Sequence, residues 1–428
     1  MGETVHIEKI IAGGYGLGRR RDGMVVLARF VLPGETILYR ERKKHRGHID
    51  AEAVEILAPS PDRVQPLCPY YTQCGGCDFQ HIAAAAQQRI KMEIILETLR
   101  RGKIDFSPSV LRPMVPSPSA WQYRRRLRLK LSPAGAMGFC RNESNELAAV
   151  DHCPVATAPL NRALLEISRS PLLPALGESM GELDLLHSPA DNLILVRLRP
   201  RPGKTVEPSL AAGLADSLSS VDDVGVLDRD GRRQGLLRQD FDAGPAGRPF
   251  FLTWTPGCFS QVNAEQNSRL ISLVLALAGP VAGSSVLDLF CGMGNFSVPL
   301  AIAGARVTGV EWNRESIARA AINAEAAGVA GTRFIAGDVL SALRRLPRHR
   351  PPFDLVLLDP PRSGAARESA LLANLGVKKI LYVSCDPATL ARDLAILTNG
   401  NYSLTALTPV DMFPQTHHIE SVALLEKN

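Results

Sequence analysis

"SVLDLFCGMGNFS", residues 285–297, joins a short apolar run to a glycine-containing turn. "SVLDLF" reads as a buried strand and "CGMGN" as the turn, with a helix to follow. From here on, strands and helices alternate. The strands are "ARVTGVE" (305–311), "TRFIAGD" (332–338), "FDLVLLDPPR" (353–362) and "KKILYVSC" (378–385), and "RESIARAAINAEAAG" (314–328) is a helix between the first two. Such alternation predicts an α/β fold built on a doubly wound parallel sheet. "NYSLTALTPVDMF" (401–413) and "IESVALLEK" (419–427) have no helix between them and read as an antiparallel pair closing the sheet edge.

Upstream, the pattern changes. Residues 4–59 hold several short strand-like runs broken by "GGYGLG", "RDG" and "LPGE", which predicts a small β-barrel. "PSPDRVQP" (59–66) reads as a linker. A helix is expected over 83–101, with Ile90, Ile94, Ile95 and Leu99 on one face. Residues 105–255 are rich in Pro and Gly, with strand-like pieces "RLRLKL", "NLILVRLR" and "DDVGVLDRD". They predict an irregular, mostly antiparallel middle domain. The expected division is 1–60, 61–258 and 259–428, with helix 83–101 a candidate to pack on the third part.

The formal net charge of +6 leans toward an anionic partner, and its distribution says more. Arg19, Arg20, Arg21, Arg29, Arg40, Arg42, Lys43, Lys44 and Arg46 crowd one stretch, and "YRRRLRLK" (123–130) forms a second cluster. Such clusters can neutralise phosphates, although either alone is also an ordinary solvated face. The N-terminus lacks the apolar core and cleavage site of a signal peptide. The longest apolar stretch, near 270–283, is too short and Gly/Pro-broken to span a bilayer. A soluble cytoplasmic protein is expected, with no membrane association and no obligate protein partner, as a monomer. Its eight cysteines are then metal ligands, catalysts or core residues rather than disulfides.

The turn after the first strand is not G-x-G-x-x-G, because Ser297 stands at the third position. Glu311 ends the second strand about twenty residues on, where a carboxylate can bind ribose hydroxyls. Asp338 ends the third, where it can accept from an adenine amino group. An acid before the loop, glycines in it and these two acids resemble the Rossmann-like S-adenosylmethionine methyltransferase fold.

"LLDPPR" (357–362) places Asp359 at the end of the fourth strand, and the two prolines fix the loop after it. Cys385 ends the fifth strand. Asp386 is an expected N-cap and Pro387 an expected first helical residue, so the thiol lies just before a helix N-terminus. That favours thiolate, while the Asp386 carboxylate opposes it. A free cysteine is by default a small core residue, so position alone leaves core and catalysis both open. A cysteine beside an acid–Pro–Pro motif fits carbon methylation of a pyrimidine. Uracil C5 is too weak a nucleophile unless a thiolate first adds at C6, and a base must then take the C5 proton. His417, His418 and Glu420 in "DMFPQTHHIES" (411–421) are candidates for that base.

"FSQVNAEQN", "LDLFCGMGNFS", "GVEWN", "LLDPPRSG", "YVSCDPATLARD" and "DMFPQTHHIES" resemble, in order, the motifs of the RNA 5-methyluridine methyltransferases. The resemblance implies Cys385 as nucleophile and Glu420 as the proton-abstracting base. It implies S-adenosyl-L-methionine contacts at Gln261, Phe290, Asn295, Glu311, Asp338 and Asp359. Two positions depart from the family pattern: Asp386, where Asn is common, and Gln415, where His is frequent. His417 and His418 read as loop or site-lining residues.

Cys68, Cys74 and Cys77 cluster in "CPYYTQCGGCDFQH", and Cys153 follows in "DHCPV". Spacing leaves an iron–sulfur cluster and a Cys₄ zinc site both open. Family members with the same pattern bind a [4Fe–4S] cluster, which implies the cluster here and favours Cys153 over Cys140 as fourth ligand. Cys258 and Cys291 read as core or loop residues. "GGYGLGRRRDGMVVLARFVLPGE" resembles the TRAM domain, a small RNA-binding barrel. Barrel and cluster together are more similar to the 23S ribosomal RNA enzymes than to the bacterial transfer-RNA enzyme. The implied activity is methylation of C5 of a uridine in RNA, with 23S ribosomal RNA as the partner. The alternatives are a transfer-RNA substrate, a DNA cytosine or amino-group methyltransferase, and a non-catalytic cluster-containing RNA-binding protein.

Overall fold

Alternating apolar residues and tight glycine approaches curl the first strands into a closed barrel. The computed structural model describes residues 3–227, 235–242, 244–346 and 353–428. Strands Glu3–Ile11, Tyr15–Arg19, Val25–Ala28, Thr36–Lys44 and His48–Ala58 close on one another around Ile7, Val26, Ile37 and Tyr39. Gly18 is required: a Cβ there would lie 2.3 Å from the His6 carbonyl oxygen.

The C-terminal part holds a seven-stranded sheet. Its strands are β1 (Ser285–Leu289), β2 (Arg306–Glu311), β3 (Arg333–Ala336), β4 (Leu355–Leu358), β5 (Lys379–Ser384), β6 (Tyr402–Val410) and β7 (Glu420–Lys427). The order is β3-β2-β1-β4-β5-β7-β6. The first five are parallel, and β7 runs antiparallel to both neighbours. Strand order reverses between β1 and β4, so a ligand crevice forms at their carboxyl ends. The final pair does close the edge, but β7 sits inside β6 and bonds directly to β5. That insertion carries the start of β7 to the carboxyl end of β5.

Helix Ala84–Arg101 buries Ile90, Ile94, Ile95 and Leu99 in one core with Leu289, Val356, Tyr382 and Leu394 of the sheet and its helices. The chain after it runs along the edge strand β6, with bridges Leu111 to Leu407 and Val115 to Val410. Lys91 on this helix is fully buried and donates to Asp411 at 2.7 Å and to the Phe413 carbonyl at 3.1 Å. A buried lysine is stable only when paired in this way, so the contact pins the loop after β6.

The middle region forms a six-stranded sheet from Arg126–Leu131, Met137–Cys140, Leu147–Ala149, Met180–Ser188, Leu193–Pro200 and Asp223–Val226. Only the pairing of Leu193–Pro200 with Asp223–Val226 is parallel. The last three residues of "DDVGVLDRD" lie outside the described residues. Helices Ala158–Ser168, Leu173–Ser179 and Pro208–Ser217 were not expected from the sequence. Each carries a proline at its first or second position, so the residue that marked a linker instead starts a helix. Among the described residues no helix is long and apolar enough to cross a membrane.

Candidate active site

At the end of β1 the backbone turns sharply. Phe290 adopts φ +63°, a conformation few non-glycine residues hold without support. Gly292 follows at φ +54°, and a Cβ there would meet nothing within 4 Å, so its backbone faces open space. Asp288, fully buried, accepts from Ser297 Oγ at 2.5 Å through one oxygen, while Oδ1 has no partner. Burial pushes its carboxyl up to about 7, with Glu311 adding to the rise. An unpartnered buried carboxylate oxygen of this kind calls for a cationic or N–H donor.

Glu311 ends β2 with Oε1 accepting from Asn313 N at 2.8 Å. Asp338 follows β3 and caps the next helix, accepting from Ser341 N at 2.8 Å, which holds its carboxyl below the usual range. Asn295 exchanges hydrogen bonds with Asn267 at 2.9 and 3.1 Å, tying the β1 loop to helix Ala264–Ala278. Gln261 is buried just ahead of that helix. Four of the six residues implied as cofactor contacts thus follow or end strands β1, β2, β3 and β4 at one end of the sheet.

Strands β5 and β7 bring Cys385 and Glu420 to the same end of the sheet. Ser384 pairs with Ser421 as the last pair across β5 and β7, so Cys385 and Glu420 each lie one residue beyond it at the same end of the two strands. Asp359 follows β4 next door, its N–H donating to the Leu289 carbonyl at 3.3 Å. Pro387 starts the helix Pro387–Thr398, and Asp386 caps it by accepting from Thr389 N at 2.8 Å. The Cys385 thiol is half-buried and pushed up to about 12. Burial is the main cause, followed by the carboxylates of Glu420 and Asp359; Arg362 pulls the other way, and Asp386 has the smallest effect. Glu420 is buried, and burial together with Asp359 drives its carboxyl well above the usual range, with Arg362 again opposing. Burial and Asp288 push Asp359 up to about 7. The crevice therefore disfavours simultaneous ionisation of its acids.

His418 is held neutral, pushed down to about 3 by burial and by the neighbouring His417 and Arg362. Its Nε2 lies 3.5 Å from an Arg362 nitrogen. Arg362 entered the sequence reading only as the last residue of "LLDPPR", yet its charge acts on both Cys385 and Glu420. The residue type and its place directly after "DPP" were the available signal. Asp288 was visible only as the acid before the loop; nothing in the sequence marks its orphaned oxygen.

Cys68, Cys74, Cys77 and Cys153 line one cavity of about 140 Å³, together with Arg124. Cys140 does not line it. Burial raises all four thiols; for Cys74, Cys77 and Cys153 neighbouring thiols of the set add to the rise and Arg124 opposes it. Among the described residues the one trio of ligand atoms lying within 4.8 Å of one another is His45, His48 and Asp50, so no three of these sulfurs come that close. Tetrahedral zinc needs sulfurs about 3.8 Å apart, given Zn–S bonds near 2.3 Å. Cys258 and Cys291 are buried, as a core reading of them expects.

The second basic cluster is largely paired within the fold. Arg126, Arg128 and Arg199 converge on the buried Asp184, and Lys130 meets Glu182. Arg125 is buried over the Trp254 ring. On the barrel, by contrast, Arg42, Lys43 and Lys44 are exposed at the end of strand Thr36–Lys44.

The family described as tRNA (Uracil-5-)-methyltransferase matches residues 139–428. The 23S rRNA (uracil(1939)-C(5))-methyltransferase RlmD of Shewanella sp. (strain MR-7) is 34% identical over 420 residues, covering 95% of this chain and 92% of that protein. The protein of the same name from Aeromonas salmonicida (strain A449) is 34% identical over 418 residues, covering 96% and 93%. The crystal structure of Pyrococcus abyssi tRNA (uracil-54, C5)-methyltransferase in complex with S-adenosyl-L-homocysteine superposes with a TM-score of 0.75. It covers 98% of this chain and 99% of that one at 23% identity, a likeness of fold. With a matched stretch that contains the whole seven-stranded sheet, and relatives aligned almost end to end, the chain belongs to the RNA 5-methyluridine methyltransferase family.

Proposed function

We propose that this protein methylates C5 of a uridine in 23S ribosomal RNA, with Cys385 as nucleophile and Glu420 as general base. The observation that supports the reading is the β5–β7 register, which brings Glu420 to the end of β5, where its charge acts on the Cys385 thiol. Near end-to-end similarity to enzymes named for a 23S ribosomal RNA uracil favours that RNA over transfer RNA. A cytoplasmic location goes with that substrate.

S-adenosyl-L-methionine, when bound, supplies an electrophilic methyl group. The acids present fit its donor groups: Asp288 offers an orphaned oxygen to an ammonium, Glu311 keeps one oxygen for ribose hydroxyls, and Asp338 keeps one for an amino group. Gln261, Phe290, Asn295 and Asp359 complete the contacts. The uridine is extruded from its stack so that its C6 meets the thiol. Cys385 gives up its thiol proton to water, the thiolate Sγ bonds to C6, and the C5–C6 π pair moves toward the C4 carbonyl, making C5 nucleophilic. After C5 gains the methyl group, Glu420 takes the C5 proton. The double bond reforms, the C6–S bond breaks and the thiolate is released. Exposed cations on the barrel hold the RNA backbone.

Purified protein incubated with labelled cofactor and 23S ribosomal RNA transcripts tests this directly. Nucleoside mass analysis is expected to show 5-methyluridine. Methyl groups on cytosine or on an exocyclic amine, or on transfer RNA alone, would replace the substrate assignment.

The four thiols fit a [4Fe–4S] cluster, which when bound cross-links the loop 68–77 to residue 153. Anaerobically purified protein is expected to be brown, with about four iron and four sulfide per chain. Cys153→Ala should lose the colour, and Cys140→Ala should keep it. A colourless protein holding one zinc per chain would sink the cluster assignment.

A further inference from the structure

Three separate parts of the chain meet at one side chain outside the reaction centre, His417. Its backbone N–H donates to Asp78 Oδ1 at 2.9 Å, and its Nδ1 lies 2.5 Å from Asp78 Oδ2. Asp78 directly follows Cys77 and is itself nearly buried. The barrel closes over the pair. Gly14, at φ +78°, approaches so closely that a Cβ would lie 2.6 Å from Asp78 Oδ2 and 3.0 Å from His417 Cβ. Arg29 of the barrel stands 3.6 Å from the same carboxylate.

The neighbouring backbone repeats the grip. Asp78 N and Phe79 N both donate to the Gln415 carbonyl, at 3.2 and 2.9 Å. Gln415, at φ +69°, is fixed further by a reciprocal pair of 3.0 Å hydrogen bonds with Gln87. Tyr71, in the cysteine loop, donates to the Asp78 carbonyl at 2.8 Å. The segment held in this way, 411–419, leads straight into Glu420.

We propose that Asp78 is a positioning residue: from the cysteine loop it holds His417, and through it the segment that presents Glu420 to the substrate. The proposal rests on the assignment of Glu420 as base. The clamp makes the barrel and the cysteine loop part of the active-site support rather than RNA handles alone. A base displaced by about 1 Å loses on the order of 10²-fold in rate. Asp78 has no reason to affect RNA affinity to that degree, because it is covered by Gly14 and His417.

A double-mutant cycle of Asp78→Ala and His417→Ala tests this, with RNA affinity, iron content and hydrogen exchange of 411–419 measured beside kcat. Each single variant is expected to lose roughly 10- to 100-fold in kcat. RNA affinity should stay within about twofold, exchange of 411–419 should rise, and the double variant should be no slower than the worse single. Asp78→Asn keeps an acceptor for the His417 N–H and should recover part of the rate. If Asp78→Ala does not load iron, Asp78→Asn and His417→Ala carry the same comparison. Unchanged kcat, additive losses, or a loss that appears wholly in RNA affinity would overturn the proposal. Glu420→Gln run in parallel separates the two readings: normal turnover there removes Glu420 as base, while the cycle still reports whether Asp78 acts through His417.

Discussion

Cys385→Ser should lose RNA methylation by more than about 10³-fold while binding RNA as before. The substitution is nearly isosteric at a half-buried site, so folding is not the cause of the loss. A serine hydroxyl ionises far less readily than a thiol and is a weaker nucleophile toward a ring carbon. The local electrostatics sharpen the expectation. Burial and then the carboxylates of Glu420 and Asp359 push the thiol up to about 12, so at neutral pH the free protein holds it protonated. Raising the pH increases the thiolate fraction about tenfold per unit below that value. Iodoacetamide should therefore label Cys385 slowly at pH 7 and progressively faster up to pH 10. Single-turnover transfer of labelled methyl groups to RNA, with a filter-binding measurement alongside, checks the main result. Methylation by Cys385→Ser near the parental rate would remove the covalent route.

Asp386 is the smallest of the charges acting on that thiol. The sequence placed the two side by side, and adjacency made the acid look like the chief obstacle. Its carboxylate instead caps the helix, while Glu420, thirty-five positions away in the chain, matters more. Local pattern carries local facts well. Parallel strands are continuous apolar runs, so β1 to β5 were visible, as were the cap and the proline after Cys385. Pairing order is not local. Nothing in "IESVALLEK" says that β7 inserts between β5 and β6, and that insertion is what brings Glu420 to the same end of the sheet as Cys385. The same limit hid the ion pairs of Asp184, which turn "YRRRLRLK" from an apparent phosphate-binding run into a largely internal network. It hid Asp78 and His417 too, whose bond spans 339 positions. The proline-led helices of the middle region failed for a different reason. A proline marks a break or a first helical turn equally well, and only the packing behind Leu160, Leu164 and Leu176 decides.

Glu420→Gln should trap the reaction part-way, with a covalent RNA–protein species that survives denaturing electrophoresis and product release slowed about 10²- to 10⁴-fold. Burial and Asp359 drive the glutamate well above the usual carboxylate range, which favours its neutral form, so an amide replaces it at little electrostatic cost. RNA binding and thiol addition are accordingly expected to proceed. The charge sequence on the proposed route explains how a carboxyl held toward its neutral form can later ionise and serve as a base. Before addition, a thiolate at Cys385 and a carboxylate at Glu420 repel each other. Once sulfur is bonded to C6, its charge has passed to the uracil ring, and methyl transfer then cancels it. Glu420 then no longer faces a negative sulfur and Arg362 favours its ionised form, so on the proposed route it releases its own proton to water before it takes the C5 proton. Proton abstraction follows methyl transfer in this order, so the trapped adduct must contain the methyl label. A labelled adduct that disappears in Cys385→Ser/Glu420→Gln supports both assignments together. An unlabelled adduct would place the block before methyl transfer, and free 5-methyluridine formed at the parental rate would move the base to another residue.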